Sequence, residues 1–278
     1  GGWDWYGTDP ASSNTINQIP DGQNTISHTF DDTEKRQLWG IQFNVDYAMS
    51  DELTFTSISG FRHGMNDIFE DTDHTSWNEA NYTSYKTFDQ MTQEFRIASE
   101  AASVKGEWDY LVGVYLGSLS QVERLSYGAY EDTGIMNGSL QVPGTATPLL
   151  LTSTADITTN TLAMFGSSNY YVTDDLSLNL GLRVGRENKQ IGIEEHSGGW
   201  IPDTPLHYKS YGETNVSPTV GFGYTLTENA NVYGKVTQGF KSGGFNTAIF
   251  KSGNEDIIFD SESVISDQFI AYLRVPPL

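Results

Sequence analysis

Hydrophobic residues alternate with polar or small residues along most of the chain. Every second residue from Leu176 to Val184 is aliphatic, and the positions between them hold Ser177, Asn179, Gly181 and Arg183. The same alternation runs through residues 39–47 and 216–226. A period of two is typical of a β-strand whose two faces meet different surroundings, whereas a helical period is almost absent. The pattern therefore predicts an all-β protein.

The alternation predicts about nine strands, each long enough to cross a bilayer as a tilted strand of roughly 9–11 residues. They fall at residues 39–47, 53–62, 86–98, 108–119, 161–172, 176–184, 216–226, 231–240 and 266–275.

Short and long connections alternate between these strands. The short ones are polar turns at residues 49–52, 173–175 and 227–230, with a slightly longer turn at 100–106. The long ones cover residues 63–85, 120–160, 187–214 and 241–265, and connections of that length are uncommon in a compact domain. This alternation is typical of an antiparallel transmembrane β-barrel with short periplasmic turns and long extracellular loops.

A barrel satisfies the backbone where lipid offers no hydrogen-bond partner, because all pairing lies between strands of a closed cylinder. A soluble β-sandwich also alternates, but its outward face should carry Lys, Glu and Thr, and its turn lengths should be mixed. Here the non-hydrophobic face is mostly Ser, Asn, Gly and Thr. The pattern favours the barrel and leaves a soluble, extracellular, glycan-binding sandwich as an alternative.

Composition excludes several classes of protein. The 278 residues include 15 Lys and Arg against 36 Asp and Glu, a net charge of −21, which repels nucleic acid. No window approaches the 18 apolar residues that a transmembrane helix requires. Cysteine is absent, so thiol nucleophiles and thiolate metal sites are excluded. No nucleophile elbow or phosphate-binding loop is present, so we do not expect an enzyme.

Several short sequence segments resemble strands in the barrel of TonB-dependent outer-membrane receptors. Residues 92–99 read TQEFRIAS, and an aromatic-rich strand follows after a short turn. Residues 172–183 read VTDDLSLNLGLR and residues 231–246 read NVYGKVTQGFKSGGFN. The stretch from Glu262 to Leu273 corresponds to a further family strand, from which Asp267-Gln268-Phe269 departs. The resemblance covers about residues 38–275, with residues 1–37 expected to be an extracellular loop.

Membership would imply a barrel of 22 strands around a plug domain, in the outer membrane of a Gram-negative bacterium. About nine strands are present, so the chain is expected to be part of such a barrel, without the plug. The resemblance implies active uptake of a small-molecule nutrient, energised by the TonB complex through the plug. A ferric siderophore is the default ligand, with cobalamin, haem or an oligosaccharide open. A passive porin-like channel is an alternative.

Charged residues on the inner face are candidate functional residues because they are few. Met91, Phe95 and Ile97 are expected to face lipid, which places Glu94 and Arg96 inside, and Arg183 is inside by the same reasoning. An arginine fork binds oxyanions, so these residues could contact the plug or an anionic ligand. They could instead form a structural ion-pair network. Arg62 and Arg186 lie near the ends of predicted strands, so the alternation does not decide which face they are on.

Loop aromatics are the second candidate group. Trp77 and Trp200 lie in the middle of long connections, where a ring could stack on a ligand. Aromatic residues nearer strand ends, such as Tyr85, would instead mark the membrane interface. Residues 67–74 gather oxygen ligands but lack the spacing of an EF-hand, so we expect neither calcium nor another cofactor.

Overall fold

The computed structural model describes residues 30–72, 80–100, 105–129, 135–136, 139–140, 149–196, 203–247 and 257–273. Within these residues every regular element is a β-strand. No helix in the described part of the chain is long and apolar enough to cross a bilayer.

Nine strands form one sheet. They are β1 (Thr33–Ala48), β2 (Leu53–Asp71), β3 (Ala80–Ser99), β4 (Trp108–Ala129), β7 (Leu149–Tyr171), β8 (Leu176–His196), β9 (Thr204–Thr227), β10 (Ala230–Lys241) and β13 (Glu262–Leu273). Two short hairpins accompany the sheet: β5 (Ile135–Met136) with β6 (Ser139–Leu140), and β11 (Gly244–Phe245) with β12 (Ile258–Phe259).

The sheet is an antiparallel meander. Its strand order is β1-β2-β3-β4-β7-β8-β9-β10-β13, so each long strand pairs with the next long strand in the chain. The tight turns lie where the sequence predicts them; for example, the Val172 and Thr173 amides both donate to the Leu176 carbonyl. The predicted all-β, antiparallel architecture with nine strands is confirmed.

The strands are much longer than the sequence predicts, and most of the expected long loops are strand. β8 ends at His196 instead of near residue 184, and β9 begins at Thr204 instead of near 216. At about 3.3 Å per residue, the 21 residues of β8 extend about 70 Å, more than twice the ~30 Å of a hydrocarbon core.

The reason for the difference is the end of the apolar pattern. Beyond Val184 both faces of β8 carry polar residues, so the period-two signal fades although backbone pairing continues. The expected loops 63–85, 120–160, 187–214 and 241–265 therefore shrink to the connections between the observed strands. β1 likewise begins at Thr33, inside the stretch expected to be a loop.

One face of the sheet is apolar and uncovered in the described part of the chain. Leu178, Leu180 and Leu182 are 40%, 54% and 50% exposed, and Val216 and Val220 on β9 lie on the same side. We call this the apolar face. A β-sandwich would bury these leucines against a second sheet, so the sandwich alternative is wrong.

The opposite side, which we call the polar face, is covered near one end. Ala155, Ile191 and Ile193 pack there beneath Ile257, with Phe245 against the same cluster. The covering residues, 242–247 and 257–261, precede and follow residues 248–256, which lie outside the described part of the chain. We call these two described pieces the strap.

Candidate functional site

Glu94 and Arg96 lie on the polar face of β3. Their cross-strand partners are Tyr115 and Gly113 of β4, while Met91 and Phe95 project to the apolar face, where they are 63% and 41% exposed. The Glu94 carboxylate and the Arg96 guanidinium form an ion pair along the strand. The structure thus places both side chains on the side that the alternation predicts, and it joins them to each other.

Arg183 lies on the polar face of β8 and contacts aromatic rings. Its guanidinium carbon is 5.3 Å from the centroid of the Tyr115 ring and 5.7 Å from that of Phe165. Phe165 is the direct partner of both Arg183 and Gly113, so Arg96 and Arg183 lie in one row across four strands, roughly 14 Å apart. Among the described residues no carboxylate lies within ion-pair distance of Arg183.

Arg62 also lies on the polar face, which the sequence left undecided. Its cross-strand partners are Gly40 and Gln90, in the same row as the polar-face positions of β3. It is exposed and has no ion-pair partner in the described ranges. A niche of about 290 Å³ beside it is lined by Gln42, Gln90 and Thr92.

The strand register also decides on which face Arg186 lies, and it is the face opposite to that of Arg62. Arg186 pairs with Leu162 and Thr214, and it donates to the Thr214 hydroxyl at 3.1 Å. It therefore lies on the same side as the leucines of β8. Arg183 and Arg186 are on one strand but on opposite faces, so they form a matched pair for experiments.

Glu213 of β9 connects the polar face to the strap. The Ser242 hydroxyl and the Gly243 amide donate to one carboxylate oxygen, and the Tyr211 hydroxyl donates to the other at 3.2 Å. Burial alone would raise the pKa of Glu213, but hydrogen bonds from Ser242, Ser261, Tyr211 and the Gly243 amide outweigh it and lower that pKa. Glu213 lies beyond the apolar stretch 216–226.

A depression of about 970 Å³ is lined mainly by apolar side chains such as Phe95, Met164 and Leu180 and so suits hydrocarbon better than a polar nutrient. In the described part of the chain no group of three or more His, Asp or Glu side chains is placed to hold a metal ion.

The predicted loop aromatics lie outside the described residues. Trp77 and Trp200 both fall there, as do the last two positions of the acidic stretch 67–74. Their ligand contacts stay predictions.

The polar face combines fixed cations with hydrogen-bonding side chains. Arg62, Arg96 and Arg183 offer three guanidinium groups, and amide and hydroxyl groups surround Arg62. Such a surface can bind carboxylate or other oxyanion groups, because guanidinium donors bind oxyanions in bidentate fashion. The arrangement is suited to binding an anionic group.

Three crystal structures share this fold. The ferric yersiniabactin uptake receptor FyuA from Yersinia pestis aligns with a TM-score of 0.70 at 19% identity, covering 87% of this chain and 34% of that one. The siderophore receptor PiuA from Acinetobacter baumannii gives 0.62 at 14% identity, covering 86% and 38%. The ferric-catecholate import receptor Fiu from E. coli K12 gives 0.57 at 18% identity, covering 88% and 39%.

The chain spans between a third and two fifths of the length of these neighbours. At these identities the likeness establishes the fold alone. No curated protein matches the sequence. A family model described as the TonB dependent receptor-like β-barrel matches residues 1–267. The resemblance noted in the sequence is therefore confirmed, and this chain belongs to the TonB-dependent receptor β-barrel family.

Proposed function

We propose that this chain forms part of the wall of an outer-membrane transporter that takes up an anionic iron chelate, a ferric siderophore, in a TonB-dependent manner. The apolar face contacts lipid and the polar face lines the lumen. The observation that carries the proposal is the presence of two polar-face arginines, Arg62 and Arg183, that have no carboxylate partner among the described residues. Three neighbours of the same fold are described as siderophore receptors or siderophore import proteins.

Unpaired arginines matter because the chain is otherwise acidic. A net charge of −21 does not steer an anion from a distance, so an anionic ligand needs local cations. Arg183 is also pre-oriented by the Tyr115 ring, which reduces the ordering cost of contact. Arg96 is less available, since its charge is already paired with Glu94.

Binding measurements on the complete receptor test this proposal. Ferric catecholate, ferric hydroxamate and ferric carboxylate siderophores, cobalamin and an oligosaccharide would be titrated by intrinsic fluorescence quenching. We expect one ferric siderophore class to bind, and Arg183→Gln to weaken it by roughly 10–100-fold, the size of one charged hydrogen bond.

The control is Arg186→Gln, three residues along the same strand but on the apolar face. It removes the same charge without changing the lumen, so affinity should stay unchanged. Equal losses in both variants, or binding of cobalamin or the oligosaccharide alone, would contradict the proposal.

A passive channel is the second candidate, because a segment folded onto the lumen wall is expected of porins and the strap lies on the polar face. Liposome swelling with small sugars separates the two. A passive channel admits sugars in proportion to their size, whereas a plugged transporter admits none.

A further inference from the structure

The apolar face ends abruptly on its outer side, the side away from the tight turns. The continuous apolar runs of β4, β7 and β8 on this face end at Leu116, Leu162 and Val184. The next outward positions on the same three strands hold Ser118, Asn160 and Arg186. The surface therefore changes from apolar to polar within two residues of each strand, as expected where a barrel wall leaves the hydrocarbon core. We call this line of polar positions the rim.

An apolar trough lies on this face on the inner side of the rim. It is the depression of about 970 Å³, and the side chains that line it include Val112, Met164 and Leu182. Gly166 pairs with both Val112 and Leu182 and has no side chain, and Ser168, the next residue on this face of β7, is small as well. These two small residues leave the space between larger neighbours. A trough lined in this way suits hydrocarbon chains.

A polar niche lies at the outer end of the trough. Its volume is about 440 Å³, and the side chains that line it on this face include Met91, Leu116, Leu162, Ser118, Asn160 and Asn188. Met164 lines the trough, and Leu162, the next residue outward on this face of β7, lines the niche. The two depressions therefore lie end to end along one strand. Together they match the shape of an amphiphile, with a polar head and an apolar body.

Arg186 lies at the edge of the niche. Its cross-strand partner Leu162 lines the niche, and its guanidinium donates to the Thr214 hydroxyl at 3.1 Å. A Cβ added to Gly212 would lie 3.4 Å from Nη2 of Arg186 and 3.1 Å from Oδ1 of Asn188. The arginine fork and the Asn188 amide thus lie next to each other, in the room that this glycine leaves.

The charge of Arg186 is not compensated within the described part of the chain. No carboxylate among these residues lies within ion-pair distance of its guanidinium. A guanidinium binds a phosphate through two parallel N–H donors, and such charge-assisted hydrogen bonds are roughly twice as strong as neutral ones. The niche therefore offers an anionic headgroup a cation and amide groups directly above an apolar surface.

We propose that the rim holds a specific site for a phosphate-bearing lipid of the outer leaflet. The phosphate binds Arg186, the amides of Asn160 and Asn188 hydrogen-bond the adjoining headgroup atoms, and the acyl chains lie in the trough. The site is on the outside of the wall, so it is separate from the polar face. It rests on the proposed function only for the statement that the apolar face contacts lipid and for which end of the wall is the outer one.

Native mass spectrometry of the complete receptor in a non-ionic detergent tests the headgroup contact. The receptor would be titrated with dimyristoyl phosphatidylglycerol and, separately, with dimyristoylglycerol, which has the same chains but no phosphate. We expect the phosphate lipid to bind more tightly. Arg186→Gln should weaken its binding by roughly 10–100-fold, the size of one charged hydrogen bond, and should leave dimyristoylglycerol unchanged.

Arg183→Gln is the matched control for the headgroup contact. It removes the same charge from the same strand but on the opposite face, so the affinity for both lipids should stay the same. Equal losses in the two arginine variants, or equal affinity of the unsubstituted receptor for the two lipids, would overturn the site.

Filling the trough tests the contact with the acyl chains. Ser168→Leu places a larger side chain in the trough and should weaken both lipids together. Ala271→Leu adds apolar bulk on the same face of β13, outside the trough, and should weaken neither. Equal effects of these two substitutions would overturn the proposal. Heat-modifiable migration on gels confirms that each variant is folded.

Siderophore titrations of the same preparations separate this proposal from the proposed function. Phosphatidylglycerol binding that depends on Arg186, in a receptor that binds no siderophore, would support the lipid site and refute the proposed ligand. Siderophore binding in a receptor that does not distinguish the two lipids would overturn the lipid site alone.

Discussion

The guanidinium of Arg183 reaches across β7 to lie 5.3 Å from the centroid of the Tyr115 ring. The residue beneath this contact is Ala163, which pairs with Tyr115 on one side and Gly185 on the other and is 1% exposed. Because Ala163 and Gly185 are small, they leave the space in which the Arg183 guanidinium and the Tyr115 ring meet. A charge on the polar face is thereby held by an aromatic ring, and among the described residues no carboxylate lies within ion-pair distance of it.

Replacing the Tyr115 ring should destabilise the sheet by about the free energy of its contact with Arg183. Tyr115→Leu is expected to lower the free energy of unfolding by about 0.5–2 kcal/mol, whereas Tyr115→Phe, which keeps the ring, should lose less. Chemical unfolding of the receptor in micelles measures the difference. Equal losses in the two variants would mean that Arg183 gains nothing from the ring.

Gly113 provides a second test of close packing on the polar face. A Cβ there would lie 2.5 Å from the Phe165 ring, so Gly113→Ala must displace the ring that also contacts Arg183. We expect a loss of about 1–3 kcal/mol in unfolding free energy, as for an overpacked site. At Gly239 the nearest atom to an added Cβ is 3.6 Å away, an ordinary contact, so Gly239→Ala should change stability little. An equal effect of the two substitutions would argue against the assigned ring position.

The assignment of the two faces predicts opposite tolerance at adjacent residues. Leu180→Lys places a charge on the apolar face and should cost about 2–4 kcal/mol near the bilayer midplane. Asn179→Lys lies at the same depth but on the polar face, where it loses one hydrogen bond to Asn169, about 0.5–1.5 kcal/mol. The refolding yield into lipid vesicles compares the two variants. A lower yield for Asn179→Lys than for Leu180→Lys would show that the two faces are assigned the wrong way round.

Acid should release the strap. Because the pKa of Glu213 is lowered in the folded state, its hydrogen bonds to Ser242 and the Gly243 amide are fully formed above the ordinary glutamate pKa of about 4.3 and are lost as pH falls through the lowered value. Other charged groups also face the strap: Glu187 directly opposite Glu213, Lys189, which donates to the Gly243 carbonyl, and Glu123, which accepts from the Thr247 hydroxyl.

Spin labels at Phe259→Cys and Ser217→Cys report this release as a longer inter-label distance. The distance should stay constant from neutral pH down to about 5 and increase only in stronger acid. If the inter-label distance already increases near neutral pH, a group other than Glu213 controls the release of the strap.

The alternation is sufficient to predict which way Glu94, Arg96 and Arg183 face, because the side-chain period of a strand admits only two choices. It fails at Arg62, where polar residues interrupt the apolar face. His63 pairs with Asp89 at 2.8 Å, and Ser59 donates to Gln93 at 2.6 Å, both on that face. These polar groups satisfy one another, which only the folded register reveals.

The length of the strands and the position of the strap could not be predicted from the sequence, for two different reasons. The strands outlast the apolar pattern because backbone pairing needs no particular side chain. The strap depends on contacts between residues far apart in the chain, such as Glu123 and Thr247. No local pattern encodes such a contact, although the Gly243-Gly244 pair marks a place of close approach.

The length of β8 and β9 has a consequence for what an approaching molecule meets. Even at the usual tilt of barrel strands, strands of about 70 Å are longer than a hydrocarbon core of ~30 Å requires. Cross-strand pairing of β8 with β9 continues to Ile193 and His207 before the register shifts. A molecule that approaches this end of the wall therefore meets a hydrogen-bonded sheet whose shape is already formed.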